Sequence, residues 1–160
     1  ESHVRVNPAM NVERIYISTD VGGEQRESGS VDLVVARGIV GDRNYGLSKW
    51  PGQNLTLVEA EEIEAFISEQ NLAYNLSITR RNIITRGVRL NELVGKEFLL
   101  GTVMLKGIEL CEPCGSLGDA LASATLSKSQ VVERFLHRAG LRADVLTSGV
   151  ITVGADVTVT

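Results

Sequence analysis

Sulfur, histidine and aromatic side chains are all scarce in this chain: two cysteines, two histidines, one tryptophan, three tyrosines and three phenylalanines in 160 residues. Two cysteines are too few for a secreted disulfide framework, which points to a reducing compartment where thiols stay free. No apolar run approaches the ~20 residues needed to span a bilayer, and the N-terminus lacks the basic start and apolar core of a signal peptide. The expectation is a cytoplasmic protein without a membrane segment. Lys plus Arg total 16 against 20 Asp plus Glu, so no general positive field is offered to nucleic acid or to an anionic membrane. Any anion site must be local. A structural zinc site needs four ligands, and no second Cys or His pair joins the two cysteines. Conventional hydrolytic constellations are weak, because His3 lies near a terminus and His137 lies in a predicted helix, where it reads as a partly exposed cation near the C-terminal end. Two matches to the glycosylation sequon, at Asn54 and Asn75, carry no meaning in a cytosolic protein. No repeat, low-complexity stretch or linker divides the sequence, and residues 1–160 read as a single domain large enough for a real core.

Glycine is plentiful, at 16 residues, and separates short runs rich in Val, Ile, Leu and Thr. The spacing predicts strands over Arg14 to Ser18, Ser30 to Arg37, Asn82 to Arg86, Phe98 to Leu110, Arg142 to Thr147 and Val150 to Val153. Ser148-Gly149 between the last two predicts a hairpin, and Asp156 to Thr160 alternates again as if to close the sheet. Two helices are expected. Thr56-Leu57-Val58-Glu59 has the spacing of a capping box ahead of Ile63, Phe66 and Ile67, with Glu61, Glu62 and Glu64 on a solvated face. Ser127 with Gln130 forms a second capping box, Leu126 and Val131 a hydrophobic staple, and Val131, Val132, Phe135, Leu136 and Ala139 an apolar stripe stopped by Gly140. Many short strands with helices in two places predict a mostly β fold, a closed or nearly closed β-barrel with a few peripheral helices, because closure removes exposed strand edges.

Three segments carry candidate chemistry. Cys111-Glu112-Pro113-Cys114 follows a strand, and its Glu-Pro step suits a turn better than a strand interior. Two thiols there read either as core residues or as a site for sulfur or metal chemistry. Gly38-Ile39-Val40-Gly41-Asp42-Arg43-Asn44-Tyr45-Gly46 packs glycines around an acid, a base and an amide; it reads equally as a turn held by an Asp-Arg pair or as a ligand site. Thr79-Arg80-Arg81-Asn82 opens a strand, where adjacent arginines point to opposite faces, so at most one of Arg80 and Arg81 is expected to face a common pocket. An anion pocket requires these arginines to converge with Arg43.

Taken in order, Gly41-Asp42-Arg43, Arg81-Asn82-Ile83, Leu90-Asn91-Glu92-Leu93-Val94-Gly95, Cys111-Glu112-Pro113-Cys114, Gly140-Leu141-Arg142, Gly149 and Gly154-Ala155-Asp156 resemble the MOSC domain family, named for the C-terminal domain of molybdenum cofactor sulfurase. The resemblance runs from about Ser30 to the C-terminus. It implies a barrel-like β domain that binds molybdenum cofactor (molybdopterin) or handles sulfur. The family's characteristic cysteine matches Cys114, followed by Gly115-Ser116-Leu117, which makes Cys114 the implied catalytic and metal-ligating thiolate and leaves Cys111 as an accessory thiol or core residue. Arg43, Asn44, Arg81 and Asn82 are the implied cofactor-binding residues, with Asp42 orienting Arg43. Where the family commonly has a histidine or aromatic residue after Asp-Arg, this chain has Asn44 and then Tyr45.

The functions implied are a molybdenum-dependent reductase of N-hydroxylated substrates, fed by a separate electron donor protein, or a persulfide sulfur carrier for metal-sulfur assembly, fed by a separate sulfur donor. A non-enzymatic cofactor-binding module is a further reading. No aminotransferase-like sulfurase domain, and hence no pyridoxal phosphate chemistry, is expected. A thioredoxin-like dithiol is disfavoured, since the cysteines come late and outside a βαβ context.

Overall fold

A computed structural model describes residues 9–112, 121–122 and 126–159. Strands β1 (Asn11–Ile17), β2 (Arg26–Glu27), β3 (Ser30–Val34), β4 (Gly38–Ile39) and β5 (Thr56–Glu59) lead into helix α1 (Ala60–Glu69). Then come β6 (Ile83–Arg86), a 3-10 turn (Leu90–Leu93), β7 (Glu97–Leu100), β8 (Val103–Leu110), helix α2 (Lys128–Arg134), β9 (Leu141–Val145), β10 (Gly149–Thr152) and β11 (Val157–Val159). Eight strands form one sheet in the order β11-β7-β8-β9-β5-β6-β1-β2, and β10-β3-β4 form a second.

The large sheet curls until its ends approach. Val12 N–H donates to Ala155 O at 2.9 Å, Gly154 N–H to Val12 O at 2.8 Å, and Val157 N–H to Met10 O at 2.9 Å. The segment entering β11 thus bonds to β1, and the half-barrel is nearly closed, as the many short strands predict. Inside it, alternate residues such as Ile15, Leu57, Ile83, Leu105, Leu141, Ala143 and Val145 form the main core. Helix α1 packs Ile63 and Ile67 onto Val58 and Ile84 on the outside of the sheet. A third cluster joins Phe66 of α1 to Val131, Phe135 and Leu126 around α2, together with Cys111. The Phe66 and Phe135 rings lie 4.6 Å apart between centroids, tilted by 44°, within the range of favourable aromatic pairs.

Local signals were overridden in several places. Thr56-Leu57-Val58-Glu59 is not a capping box but the buried strand β5, parallel to β6 and antiparallel to β9. The helix starts at Ala60 with no side-chain cap, because four buried positions between two strands outweigh one capping bond. The glutamates of α1 are half-buried ion-pair partners rather than a solvated face: Glu61 and Glu64 meet Arg86, and Glu62 meets Arg138. The expected hairpin at Ser148-Gly149 does not form. Both edges of β9 are occupied by β5 and β8, so β10 leaves to pair with β3 in the second sheet. The predicted strand Phe98 to Leu110 folds back at Gly101 into β7 and β8.

The second capping box is present as expected, with Ser127 accepting from Gln130 N–H and Gln130 accepting from Ser127 N–H. The staple residues Leu126 and Val131 share one buried cluster. Helix α2 nevertheless stops at Arg134, short of Gly140, and His137 follows at φ 63° in the left-handed region. His137 is therefore not helical; its carbonyl accepts from Asn91 Nδ2 at 2.8 Å. Gly140 is required three residues later. At φ +110° its backbone passes so close to Leu57 O that a Cβ would sit 2.0 Å from that oxygen.

Candidate functional site: an arginine-lined cavity

Outward-facing positions of β5 and β9 form the floor of the site. Along β9 the inward residues are Leu141, Ala143 and Val145, so Arg142 and Asp144 project from the outer face. Thr56 of β5 stands opposite Arg142 in the ladder. The segment after β4 crosses above this floor, and a cavity of about 260 Å³ opens between them, lined by Arg43, Asn44, Trp50, Arg80, Arg81 and Arg142 among others. Four guanidinium groups from three separate parts of the chain share one small space.

Arg43 is placed by the end of β1. Its N–H donates to Ser18 O at 2.7 Å, while Ser18 N–H donates to Asp42 Oδ1 at 3.1 Å and Asn44 N–H to Asp42 Oδ2 at 3.2 Å. The Asp42 side chain is fully buried, with Arg43 Nη1 at 3.6 Å, too long for a hydrogen bond but close enough to fix the guanidinium. Arg43 Nη2 donates to Arg80 O at 3.2 Å. Burial pulls the Arg43 guanidinium below its ordinary pKa; Asp42 opposes that shift, and Arg80 and Arg81 add to it.

Arg80 and Arg81 both line the cavity, against the expectation that only one of them faces it. That expectation assumed a strand, whereas β6 begins only at Ile83 and Arg80 adopts φ 60°. One left-handed residue breaks the alternation and lets neighbours share a side. Arg81 Nε donates to Ala139 O at 2.9 Å, anchoring its stem to the segment that precedes β9.

Asn82 is in a different position from the other implied binding residues. It is completely buried, and its side chain accepts from Thr56 N–H and Thr56 Oγ1–H at 3.3 and 3.2 Å and donates to Tyr16 O at 3.2 Å. It ties β5, β6 and β1 together beneath the cavity rather than lining it. Asn44, by contrast, lines the cavity directly.

Arg43 Nη1 and Arg80 Nη2 are buried polar atoms without a hydrogen-bond partner among the described residues. A buried donor without a hydrogen bond costs roughly 1–3 kcal/mol, and Arg43 Nη1 keeps only the longer ion pair with Asp42, so two of the arginines that line the cavity retain unused donor capacity.

Cys111 directly follows β8. It is buried, and its N–H donates to Gly140 O at 2.8 Å. Burial raises its thiol pKa, and Arg81 and Arg142, lying close enough to act on it, partly offset the rise. Cys111 is accordingly a core thiol. Cys114 lies outside the described residues. Sequence reasoning passed over Arg142, Trp50 and Gln53 as lining residues. The signal for Arg142 was an arginine alternating with Leu141 and Ala143 in a buried strand; the position of Trp50 is a matter of loop path, which local sequence does not carry.

The family model for the MOSC domain matches residues 43–158. No curated protein sequence matches the chain. Among solved structures, a YuaD protein from Bacillus subtilis superposes with a TM-score of 0.80 at 19% identity, covering 94% of each chain. YiiM from Geobacillus stearothermophilus gives 0.70 at 14% identity over 94% of this chain and 75% of that one. YiiM from Escherichia coli gives 0.64 at 16% identity over 95% and 68%. At such identities these structures speak for the fold, while the family model spans most of the sequence, including Arg43, Asn44, Arg80, Arg81 and Arg142. The chain belongs to the MOSC domain family.

Proposed function

We propose that this chain binds molybdenum cofactor, with the phosphate of the pterin in the arginine cavity and the thiolate of Cys114 as the protein ligand to the metal. The observation that carries the reading is the cavity lined by Arg43, Arg80, Arg81 and Arg142, with two of their guanidinium atoms, Arg43 Nη1 and Arg80 Nη2, making no hydrogen bond among the described residues. A phosphate monoester supplies several acceptor oxygens and close to two negative charges, which suits that donor set. Its charge also relieves the repulsion that Arg80 and Arg81 exert on Arg43. Asp42 holds Arg43 in place, Asn44 contributes a wall, and Asn82 acts as a positioning residue below. Cys111 stands close enough to feel Arg81 and Arg142, and three residues of chain reach at most about 11 Å, so Cys114 can approach the same space.

When bound, the cofactor supplies two-electron oxygen-transfer chemistry, and reduction of an N-hydroxylated substrate is the activity assigned in this reading, with electrons from a separate donor protein. The protein's own part is to bind the phosphate, to orient the pterin and to present a soft thiolate.

The test is molybdenum and pterin content of the chain, produced in a cofactor-competent host and purified without oxygen, beside Cys114→Ser and Cys111→Ser. Metal in the wild type and in Cys111→Ser, lost in Cys114→Ser, is the expected result. Stoichiometric metal retained by Cys114→Ser contradicts it. No metal in any sample, with an added mass on the order of 32 Da on Cys114 after incubation with a sulfurtransferase, assigns the chain instead to persulfide transfer.

A further inference from the structure

The surface around the mouth of the arginine cavity combines exposed apolar side chains with charge of one sign. Val35, Leu47 and Trp50 are 47, 41 and 55% exposed. Hydrogen bonds bring them together. Asn54 Nδ2 donates to Ala36 O at 3.1 Å and to Leu47 O at 3.2 Å, and Gly46 N–H donates to Arg37 O at 2.8 Å, so the turn between β3 and β4 lies against the segment that crosses above β9. Trp50 lines the arginine cavity with Leu47 and a neighbouring hollow with Val35 and Lys49. From Leu33 to Gln53 the only acidic residue is Asp42, whose side chain is buried against Arg43, whereas Arg37 and Lys49 are exposed. A chain of formal net charge −4 thus turns a basic, apolar face outward where its cavity opens.

We propose that this face docks the electron donor that the cofactor reading requires, an acidic redox protein that seats apolar surface on Trp50 and carboxylates on Arg37 and Lys49. Naming the partner an electron donor rests on that reading; recognition of an acidic protein surface rests on the face alone.

Trp50 is held in place before a partner arrives. Gly52 N–H donates to Asp144 Oδ1 at 2.7 Å, and Lys49 N–H donates to Gln53 Oε1 at 2.7 Å. At φ +77° a Cβ on residue 52 would meet the Cβ atoms of Arg142 and Ile108 at 3.0 Å, so only glycine lets the loop lie this close to β8 and β9. An exposed, pre-positioned tryptophan has the character of an interface hot spot, since little ordering entropy is lost when it is covered. Arg37 and Lys49 steer an acidic protein to the mouth and fix its orientation. The face is continuous with the cavity through Leu47 and Trp50, so a donor seated on it covers the opening and lies beside the proposed cofactor. A second copy of this chain is a poor occupant, because two such faces meet with like charge.

A plant-type ferredoxin and a flavodoxin, both acidic electron carriers, are titrated by calorimetry into the purified chain and into Arg37→Glu, Lys49→Glu, Trp50→Ala and Lys96→Glu, the last an exposed control outside the face. Saturable binding of at least one carrier is expected, one per chain and weaker as salt rises. Affinity should fall about tenfold or more in Arg37→Glu, Lys49→Glu and Trp50→Ala and stay unchanged in Lys96→Glu. No binding of either carrier, equal affinity in the three face variants, or self-association of the chain that Trp50→Ala abolishes would overturn the proposal. The titration needs no bound metal. Absence of molybdenum with the carrier bound as expected therefore counts against the cofactor reading alone, and molybdenum present without carrier binding counts against the docking face alone.

Discussion

Asn82 governs the geometry of the site from below. Its amide bridges Thr56 on β5 and Tyr16 on β1, and its backbone exchanges bonds with Tyr16 N–H and Thr56 Oγ1. Replacing it with alanine leaves Tyr16 O and Thr56 N–H short of partners in a dry interior. Asn82→Ala should cost on the order of 3 kcal/mol, measured by denaturant unfolding, with the midpoint moving and the slope unchanged. A loss of phosphate affinity with unaltered stability would instead mean that the amide reaches the ligand. The sequence reading names Asn82 as a binding residue, whereas its amide lies beneath the cavity that Arg80 and Arg81 line. What a polar triplet cannot reveal is which member turns inward, and here the left-handed φ of Arg80 decides it.

At the scale of elements, α1 and β6 are joined by ion pairs at the C-terminal end of β6. Arg86 donates to both oxygens of Glu64, at 2.9 and 3.1 Å, and Tyr74 O–H donates to Glu64 Oε2 at 2.8 Å. The bond from Arg86 is the main reason the Glu64 carboxyl lies below its ordinary value of 4.5, burial acting the other way. A depressed folded-state pKa contributes stability above the unfolded value and loses it as pH falls through the folded one. Glu64→Gln should therefore lower the thermal midpoint at pH 7, and the difference from wild type should shrink steadily below about pH 4.5. A constant difference from pH 7 to pH 3 would show that Glu64 acts by packing alone. Element identity was legible wherever periodicity and local chemistry agreed, as at the Ser127 cap and the Ile63, Phe66, Ile67 stripe. It failed at Thr56 to Glu59, where burial between β6 and β9 overrode a capping pattern, and at Ser148-Gly149, where strand partners are set by sheet order and not by the turn between them.

The whole molecule explains why a mildly acidic chain can hold a strongly cationic site. Curling the sheet brings the end of β1, the approach to β6 and the outer face of β9 around one opening, so Arg43, Arg80, Arg81 and Arg142, scattered over a hundred residues of sequence, become neighbours. No helix among the described residues is long and apolar enough to cross a membrane. The fold class was readable from many short strands and abundant glycine, because closure is the general remedy for exposed edges. The convergence of the arginines was not, since it depends on strand order and on the path of residues 43–53 over β9. Phosphate binding to the purified chain, followed by calorimetry in the wild type, Arg43→Gln and Arg81→Gln, tests that convergence most directly. One phosphate per chain is predicted, with affinity falling as salt rises and about tenfold or more weaker in each variant. Absence of binding, or equal affinity in all three proteins, would contradict the assignment of this cavity as the anion site.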